Sequence, residues 1–394
     1  MNRVQHGALS AAIAAGLLVL TTIAGGAPMG LSAVDTERFT IYHSPQTPGY
    51  TCWVSSWLSP EGMLRVAFHQ ATGPTSGRPQ GTKAVLEALG WPPPGRPEYD
   101  MTGTIQEVIT VQSGDGGTTW QPFASEPFHT PMNGAYQGYA CLPDGTVLRT
   151  AWGMYLPFYD VPRTGYVQRS EDGGQTWGEP IVLTDTRDAI ALPKRSRVLE
   201  DGRVIIAGGY IPLSAEVPGF RAGLSHIRAA IWLSNDGGRT WSAPIDVLTK
   251  ESGVGLTEES DVAQLPDGRL LLVTRTNVPD RWQTVLRPAG EGYEVESFGK
   301  APFPHSGMPE LLALRGLDGQ PSGVVLHVAS TGISWTADAG KTWTDLGFGT
   351  EYYPSAVQLP DGRVFVAAHR GSDDPYNATV DQEIRGLRFG VEEE

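Results

Sequence analysis

One eight-residue pattern occurs four times and constrains the fold of this chain more than any other feature. It reads S/T-x-D-x-G-x-T-W and stands at 113–120 (SGDGGTTW), 170–177 (SEDGGQTW), 234–241 (SNDGGRTW) and 336–343 (TADAGKTW). Such recurrence implies stacked supersecondary units, none of which buries its apolar face alone. Each position has a physical task. The carboxylates of Asp115, Asp172, Asp236 and Asp338 can accept hydrogen bonds from the N–H groups of a turn. The glycines supply positive φ, and each Trp brings a large apolar surface to a contact between sheets.

A second element alternates with the octads. Hairpin turns flanked by alternating apolar residues end at Gly62, Gly145, Gly202, Gly268, Gly319 and Gly362. An Asp-Gly turn between strand patterns is a strong hairpin signal. Six hairpins predict six blades, hence an all-β, six-bladed β-propeller with four-stranded antiparallel blades. Each hairpin makes strands one and two of a blade, and the octad marks the turn between strands three and four. Blades four and six lack an octad. After Gly362 there is room for only three strands, so Arg38–His43 is expected to supply the missing outer strand and close the ring. The expected boundaries are 1–30 for an export signal and spacer, and 36–392 for one propeller domain with a long loop insertion at about 70–104.

Charge and termini narrow the class. The 394-residue chain carries a formal net charge of −14 and no basic run, which argues against a nucleic-acid partner. Arg3, an apolar stretch from Ala8 to Ile23 and small residues from Ala24 to Ala27 form the pattern of an export signal. A secreted or periplasmic protein with no stable membrane span after cleavage is expected; an uncleaved anchor is the rival reading. Cys52 and Cys141 either pair, as an exported protein allows, or remain free thiols. No metal signature or nucleotide motif is present, so no cofactor is expected, and a monomer is the expected state.

Topology locates a working face. The hairpins and octads share one face of the ring, so a pocket belongs on the other, where the inner strands open into the channel. Residues nine before and seven after each turn glycine are expected to meet there. This pairs Trp53 with His69, Tyr136 with Trp152, Pro193 with Gly209, Glu259 with Arg275 and Tyr353 with His369. Lys194, Arg195 and Arg197 lie close by in blade three, and His305 and Glu310 near the entry to blade five. Aromatics that stack on sugar rings, with charged groups that fix hydroxyls or a carboxylate, suggest a glycan as partner.

The octads resemble the Asp boxes of the sialidase superfamily, and the resemblance covers nearly all of the chain after the signal. It implies a Tyr nucleophile activated by a Glu, an Asp acid/base and three Arg that clamp a carboxylate. Glycosidases with a Tyr nucleophile are a known exception to the two-carboxylate rule. Carried onto this sequence, the resemblance gives Tyr353 as nucleophile, with Tyr352 as the alternative, and Glu259 as its base. Asp100 becomes the acid/base, and Arg275 one carboxylate-binding arginine. Trp53, His69, Tyr136, Trp152, Arg195 and His369 complete the substrate-binding set. The pattern breaks at two points. The first clamp arginine should precede Gly62 by about ten residues, where this chain has Tyr50-Thr-Cys-Trp53, and 325–335 holds no third one. Arg195, Arg197 or Arg370 are the candidates to compensate. Two functions follow: an exo-α-sialidase-type glycosidase acting on a terminal acidic sugar with an incomplete arginine triad, or a non-catalytic glycan-binding or assembly propeller.

Overall fold

The computed structural model describes residues 30–45, 49–73, 105–127, 136–151, 164–217, 224–248, 256–276, 281–303, 305, 307–370 and 383–393. Strand β1 (Leu31–His43) comes first. Blade one follows as β2 (Gly49–Leu58), β3 (Leu64–Thr72), β4 (Ile105–Ser113) and β5 (Gln121–Pro127). Blade two is β6 (Tyr136–Cys141), β7 (Val147–Ala151), β8 (Tyr166–Ser170) and β9 (Ile181–Val182). Blade three is β10 (Ala189–Val198), β11 (Val204–Pro212), β12 (Arg228–Ser234) and β13 (Ile245–Asp246). Blade four is β14 (Leu256–Gln264), β15 (Leu270–Thr276), β16 (Arg281–Ala289) and β17 (Gly292–Lys300). Blade five is β18 (Glu310–Arg315), β19 (Pro321–Ala329), β20 (Gly332–Thr336) and β21 (Thr344–Asp345). Blade six contributes β22 (Tyr352–Gln358), β23 (Val364–His369) and β24 (Glu383–Glu393).

Each blade is a four-stranded antiparallel sheet in chain order, and the sixth takes β1 as its outer strand. The closing strand is longer than the sequence suggested. It pairs with β24 from Leu31↔Glu393 to His43↔Glu383, with irregularities at Val34/Glu37 and Thr40/Tyr42. The ring is thus joined through the first and last strands.

The core is not one mass but a slab at each of the six joints. Trp57 and Val147 meet between blades one and two. Leu148 and Ile206 meet between two and three, and Ile205 and Leu272 between three and four. Leu271 and Val325, then Leu326 and Val364, fill the next two joints, and Phe365 and Leu64 the last. Alternate residues of one strand face opposite neighbours, as Ile205/Ile206, Leu271/Leu272 and Val364/Phe365 show. A strand buried on both faces reads as a continuous apolar run rather than an alternation.

The octads form the turns between strands three and four. In the second, Asp172 Oδ1 accepts from Ser170 Oγ at 2.7 Å and from the backbone N–H groups of Gln175 at 2.9 Å and Thr176 at 2.8 Å. These bonds and the one from Thr176 Oγ1 outweigh burial and hold the Asp172 carboxyl down at about 2. Each octad is also tied to the blade before it. Arg65 donates to Gly173 O at 2.7 Å, Arg388 to Gly116 O at 2.9 Å and Gln283 to Gly340 O at 2.7 Å, and Arg169 makes the same bond to Gly237 O.

The inner strands depart from the expected cross-strand pairs. Cys52, not Trp53, pairs with His69; Tyr136 pairs with Ala151, not Trp152; Pro193 pairs with Gly208, not Gly209; and Tyr352, not Tyr353, pairs with His369. Glu259 falls inside an irregularity between Leu256 and Ser260 and has no ladder partner on β15. The cause is common: five of the six inner strands carry a bulge near their entry. An extra residue on one strand shifts the register and re-aims the side chain within it. Cys52 and Cys141 are free thiols and do not form the disulfide that was one reading of the sequence. Among the described residues no helix is long and apolar enough to cross a membrane. Residues 1–29, which include the expected export signal, and most of the 70–104 insertion lie outside the described residues.

Candidate active site

The entry bulges bring blades four and six together at the channel mouth. In β22 the bulge between Tyr352 and Ser355 puts Tyr353 at φ 49°, the left-handed region, which a bulky L-residue seldom adopts. Its hydroxyl donates to Glu259 Oε1 at 3.0 Å, from blade six to blade four. Arg275 Nη1, on the strand adjoining Glu259, donates to Glu259 Oε2 at 2.5 Å. The carboxylate therefore holds a phenol on one oxygen and a guanidinium on the other. Behind Tyr353 the ring of His369 stacks at 5.5 Å between centroids and 18° between planes, and His369 is fully buried.

The electrostatics favour an ionised glutamate. Burial opposes charge on Glu259, but the charges of Arg275 and Lys194 and the hydrogen bonds from Arg275 and Tyr353 outweigh it, so its pKa lies below the ordinary value. In return the Glu259 carboxylate, against some burial, raises Arg275 further above its usual range. The pair is charged at any pH near neutrality.

Beneath this mouth charged side chains reach across the channel. Arg195, from blade three, reaches across the ring and donates to Pro354 O in blade six at 2.7 Å. Its Nε lies 3.0 Å from Glu310 Oε2 without being directed at it, so the contact is an ion pair rather than a hydrogen bond. Glu310 Oε1 accepts from Ala356 N at 2.8 Å. Arg197 pairs with Asp261 and donates to Leu311 O at 2.9 Å, while Leu311 N donates back to Asp261 Oδ2 at 2.7 Å. Burial, with Glu310 adding to it, pushes Asp261 up to about 6 against the pull of Arg197. Among the described residues no group of three or more His, Cys, Asp or Glu is placed to hold a metal ion.

No family model matches the chain. In sequence it is 23% identical over 288 residues to a protein named Sialidase from Bacteroides fragilis, covering 62% of this chain and 50% of that one. It is 25% identical over 319 residues to an Exo-alpha-sialidase of Aspergillus fumigatus, covering 72% and 64%. The chain thus spans half to just under two thirds of the curated relatives it matches. In structure it superposes on a Hadza microbial sialidase with a TM-score of 0.55 at 17% identity, covering 87% of this chain and 66% of that one. It superposes equally well on the α-L-arabinofuranosidase of Fusarium graminearum in complex with arabinobiose, with a TM-score of 0.56 at 14% identity, covering 89% and 98%. The chain is a six-bladed β-propeller that resembles sialidases in sequence and fold.

In this sialidase-like propeller the residues singled out from sequence fall into three groups. Tyr353, Glu259 and Arg275 are brought together. Trp53 stands half-buried at the mouth of blade one, its ring edge-on to His69 at 5.6 Å. Asp100 and Trp152 lie outside the described residues, and Tyr136 is described only as the first residue of β6. His69, Arg195 and His369, expected to touch substrate, are 3%, 2% and 0% exposed. They stand behind the surface because aromatic and ionic partners from other strands absorb their polarity. His69 is pushed down to about 3 by burial, with Arg149 adding to it, and carries no charge near neutral pH. His305 packs on Phe303 at 6.1 Å and does not reach the rim. Of the arginines considered as substitutes in the clamp, Arg195 and Arg197 belong to the charged layer beneath the mouth, and Arg370 faces Glu383 at 3.5 Å.

Sequence reasoning passed over Asp261. It stands two residues after Glu259 on one strand, and residues two apart share a face. That spacing was the available signal.

Proposed function

We propose that this chain is an exported glycosidase that removes a terminal sugar by a tyrosine-mediated double displacement. The observation that carries the reading is the 3.0 Å hydrogen bond from Tyr353 to Glu259. A phenol is a weak nucleophile until a base takes its proton, and an ionised, buried carboxylate in contact with it meets that need. Tyr353 Oη attacks the anomeric carbon as Glu259 Oε1 receives the phenolic proton. The bond to the leaving oxygen breaks, and that oxygen takes a proton from Asp100, the acid assigned by sequence. Water, deprotonated by Asp100, then cleaves the glycosyl-tyrosine bond, and Glu259 returns the proton to Tyr353. Two inversions leave the anomeric configuration retained.

The acidic-sugar reading of the sequence rests on Arg275. Its engagement with both Glu259 and Tyr353 leaves this reading with the least support. A non-catalytic glycan-binding propeller remains the second reading, favoured by the two absent clamp arginines.

Turnover of a panel of aryl glycosides, neutral and acidic, tests the proposal. Tyr353→Phe is expected to lower kcat by about 10³-fold or more, and a 2-fluoro glycoside should label the peptide carrying Tyr353 in the wild-type chain. Inversion of configuration by proton NMR, or full activity in Tyr353→Phe, would refute the mechanism. No turnover of any panel member would favour the binding reading.

A further inference from the structure

Trp53 and Tyr353 are equivalent residues in adjacent blades. Each stands nine residues before its turn glycine, Gly62 or Gly362. Each lies in an entry bulge with left-handed backbone, at φ 50° and 49°. Each packs on a buried histidine of the adjoining strand, His69 at 5.6 Å and His369 at 5.5 Å. Blades one and six touch a few residues further along, where Ser56 N donates to Ser355 Oγ at 2.9 Å. The same device therefore delivers an aromatic side chain to the channel mouth from each of two adjacent blades.

That device has a cost. A bulky L-residue in the left-handed region is strained, and such strain persists where the surroundings over-determine it, most often at ligand sites. In blade six the strained residue is the proposed nucleophile. Its counterpart in blade one is an indole, a flat and rigid apolar surface with one polar edge. It occupies the stretch where the resemblance calls for a carboxylate-binding arginine.

The cations nearby do not replace that arginine. Arg275 is bonded to Glu259, the charge of Lys194 acts on the same carboxylate, Arg195 is bonded to Pro354 O beside Glu310, Arg197 to Asp261, and Arg370 faces Glu383. At each of these cations a substrate carboxylate would compete with a carboxylate of the chain. A sugar ring with an apolar C–H face would meet an indole.

We infer that Trp53 is the stacking wall of the sugar subsite beside Tyr353, and that the site selects a sugar without a carboxylate. The inference rests on Tyr353 and Glu259 as the reacting pair. It names the class of sugar they act on.

The test uses the full chain and separates turnover from binding. Initial rates are measured on 4-nitrophenyl glycosides of neutral sugars, including α-L-arabinofuranoside, and of N-acetylneuraminic and glucuronic acids. The expected result is a kcat/KM at least 10-fold higher for one of the neutral glycosides than for either acidic one. Trp53→Ala should then raise KM for that glycoside by about 10-fold and leave kcat within threefold, and Trp53→Phe should recover most of the loss. A fall in kcat at unchanged KM would mean that Trp53 only supports Tyr353, and preference for an acidic glycoside would overturn the assignment. If no glycoside is turned over, the mechanism falls but the inference is still read by calorimetry with the free sugars. Binding of a neutral sugar that Trp53→Ala abolishes and Trp53→Phe restores upholds it. Tighter binding of an acidic sugar, or binding of none, overturns it.

Discussion

Glu259 is 7% exposed, yet the cations Arg275 and Lys194 and the Tyr353 hydroxyl keep it ionised against the pull of burial. That balance sets the pH behaviour of the site. Its folded pKa lies below its unfolded one, so its contribution to stability is complete above the unfolded value and is lost as pH falls through the folded value. If Glu259 is the base, the acid limb of kcat/KM should have its midpoint below the ordinary glutamate range. Arg275→Ala removes the largest stabilising charge and leaves burial opposed mainly by Lys194. The midpoint should then rise by about one pH unit or more. A pH–rate profile of the two proteins decides the point: an unmoved acid limb would show that another group sets it. At this scale the sequence was partly legible. Counting from the turn glycines placed Tyr353, Glu259 and Arg275 on one rim, although four expected ladder partners were off by one and Glu259 has none. Symmetric counting cannot see a bulge, which leaves no mark in residue type. Nor could it see that Arg195 and His369 turn inward, because their partners, Glu310, Pro354 and Tyr353, lie in other blades or on the facing strand.

The octad is where local chemistry and ring assembly coincide. Its Asp ties the turn internally, and a backbone carbonyl of the same turn receives an Arg or Gln from the preceding blade. Its second glycine serves that joint as well. In the third octad Gly238 has φ 83°, and a Cβ there would lie 2.8 Å from Leu148 of blade two. Gly202, in the blade-three hairpin, has φ 84° but no atom within 4 Å of a Cβ. The two positions separate backbone strain from packing. Gly202→Ala should cost about 1–2 kcal/mol from the left-handed backbone alone. Gly238→Ala should cost about 1–3 kcal/mol more, because the new methyl overpacks the joint. Chemical denaturation of both variants measures the difference, and equal losses would mean that the joint yields. The octads were legible because each side chain in them acts within eight residues. The ties between blades were not, because Arg65, Arg169, Gln283 and Arg388 sit at ordinary strand positions and their acceptors are backbone carbonyls.

As a whole, the molecule holds together as a ring of six similar slabs, and one seam, between the first and last strands, is not crossed by the chain covalently. Strand β1 closes that seam by pairing with β24, and Arg388 adds bonds to Glu37 on β1 and to Gly116 O in blade one. Removing residues 31–43 should lower Tm by about 10 °C or more and leave β24 as an open edge prone to pairing between molecules. Differential scanning calorimetry and size-exclusion chromatography would show both effects. An unchanged Tm would mean that the inner three strands of blade six close the ring unaided. This closure was legible from arithmetic alone, since six hairpins left one blade a strand short.

The entry bulges separate two requirements that usually compete. In blade one the ladder is broken only between Cys52↔His69 and Ser55↔Ala67, and in blade six only between Tyr352↔His369 and Ser355↔Ala367. Pairing resumes within three residues. The side chains of Trp53 and Tyr353, in these gaps, stand outside the apolar clusters that hold neighbouring blades together. Specificity in such a ring can drift one residue at a time, at sockets the scaffold keeps open, without the scaffold having to be refolded around each change.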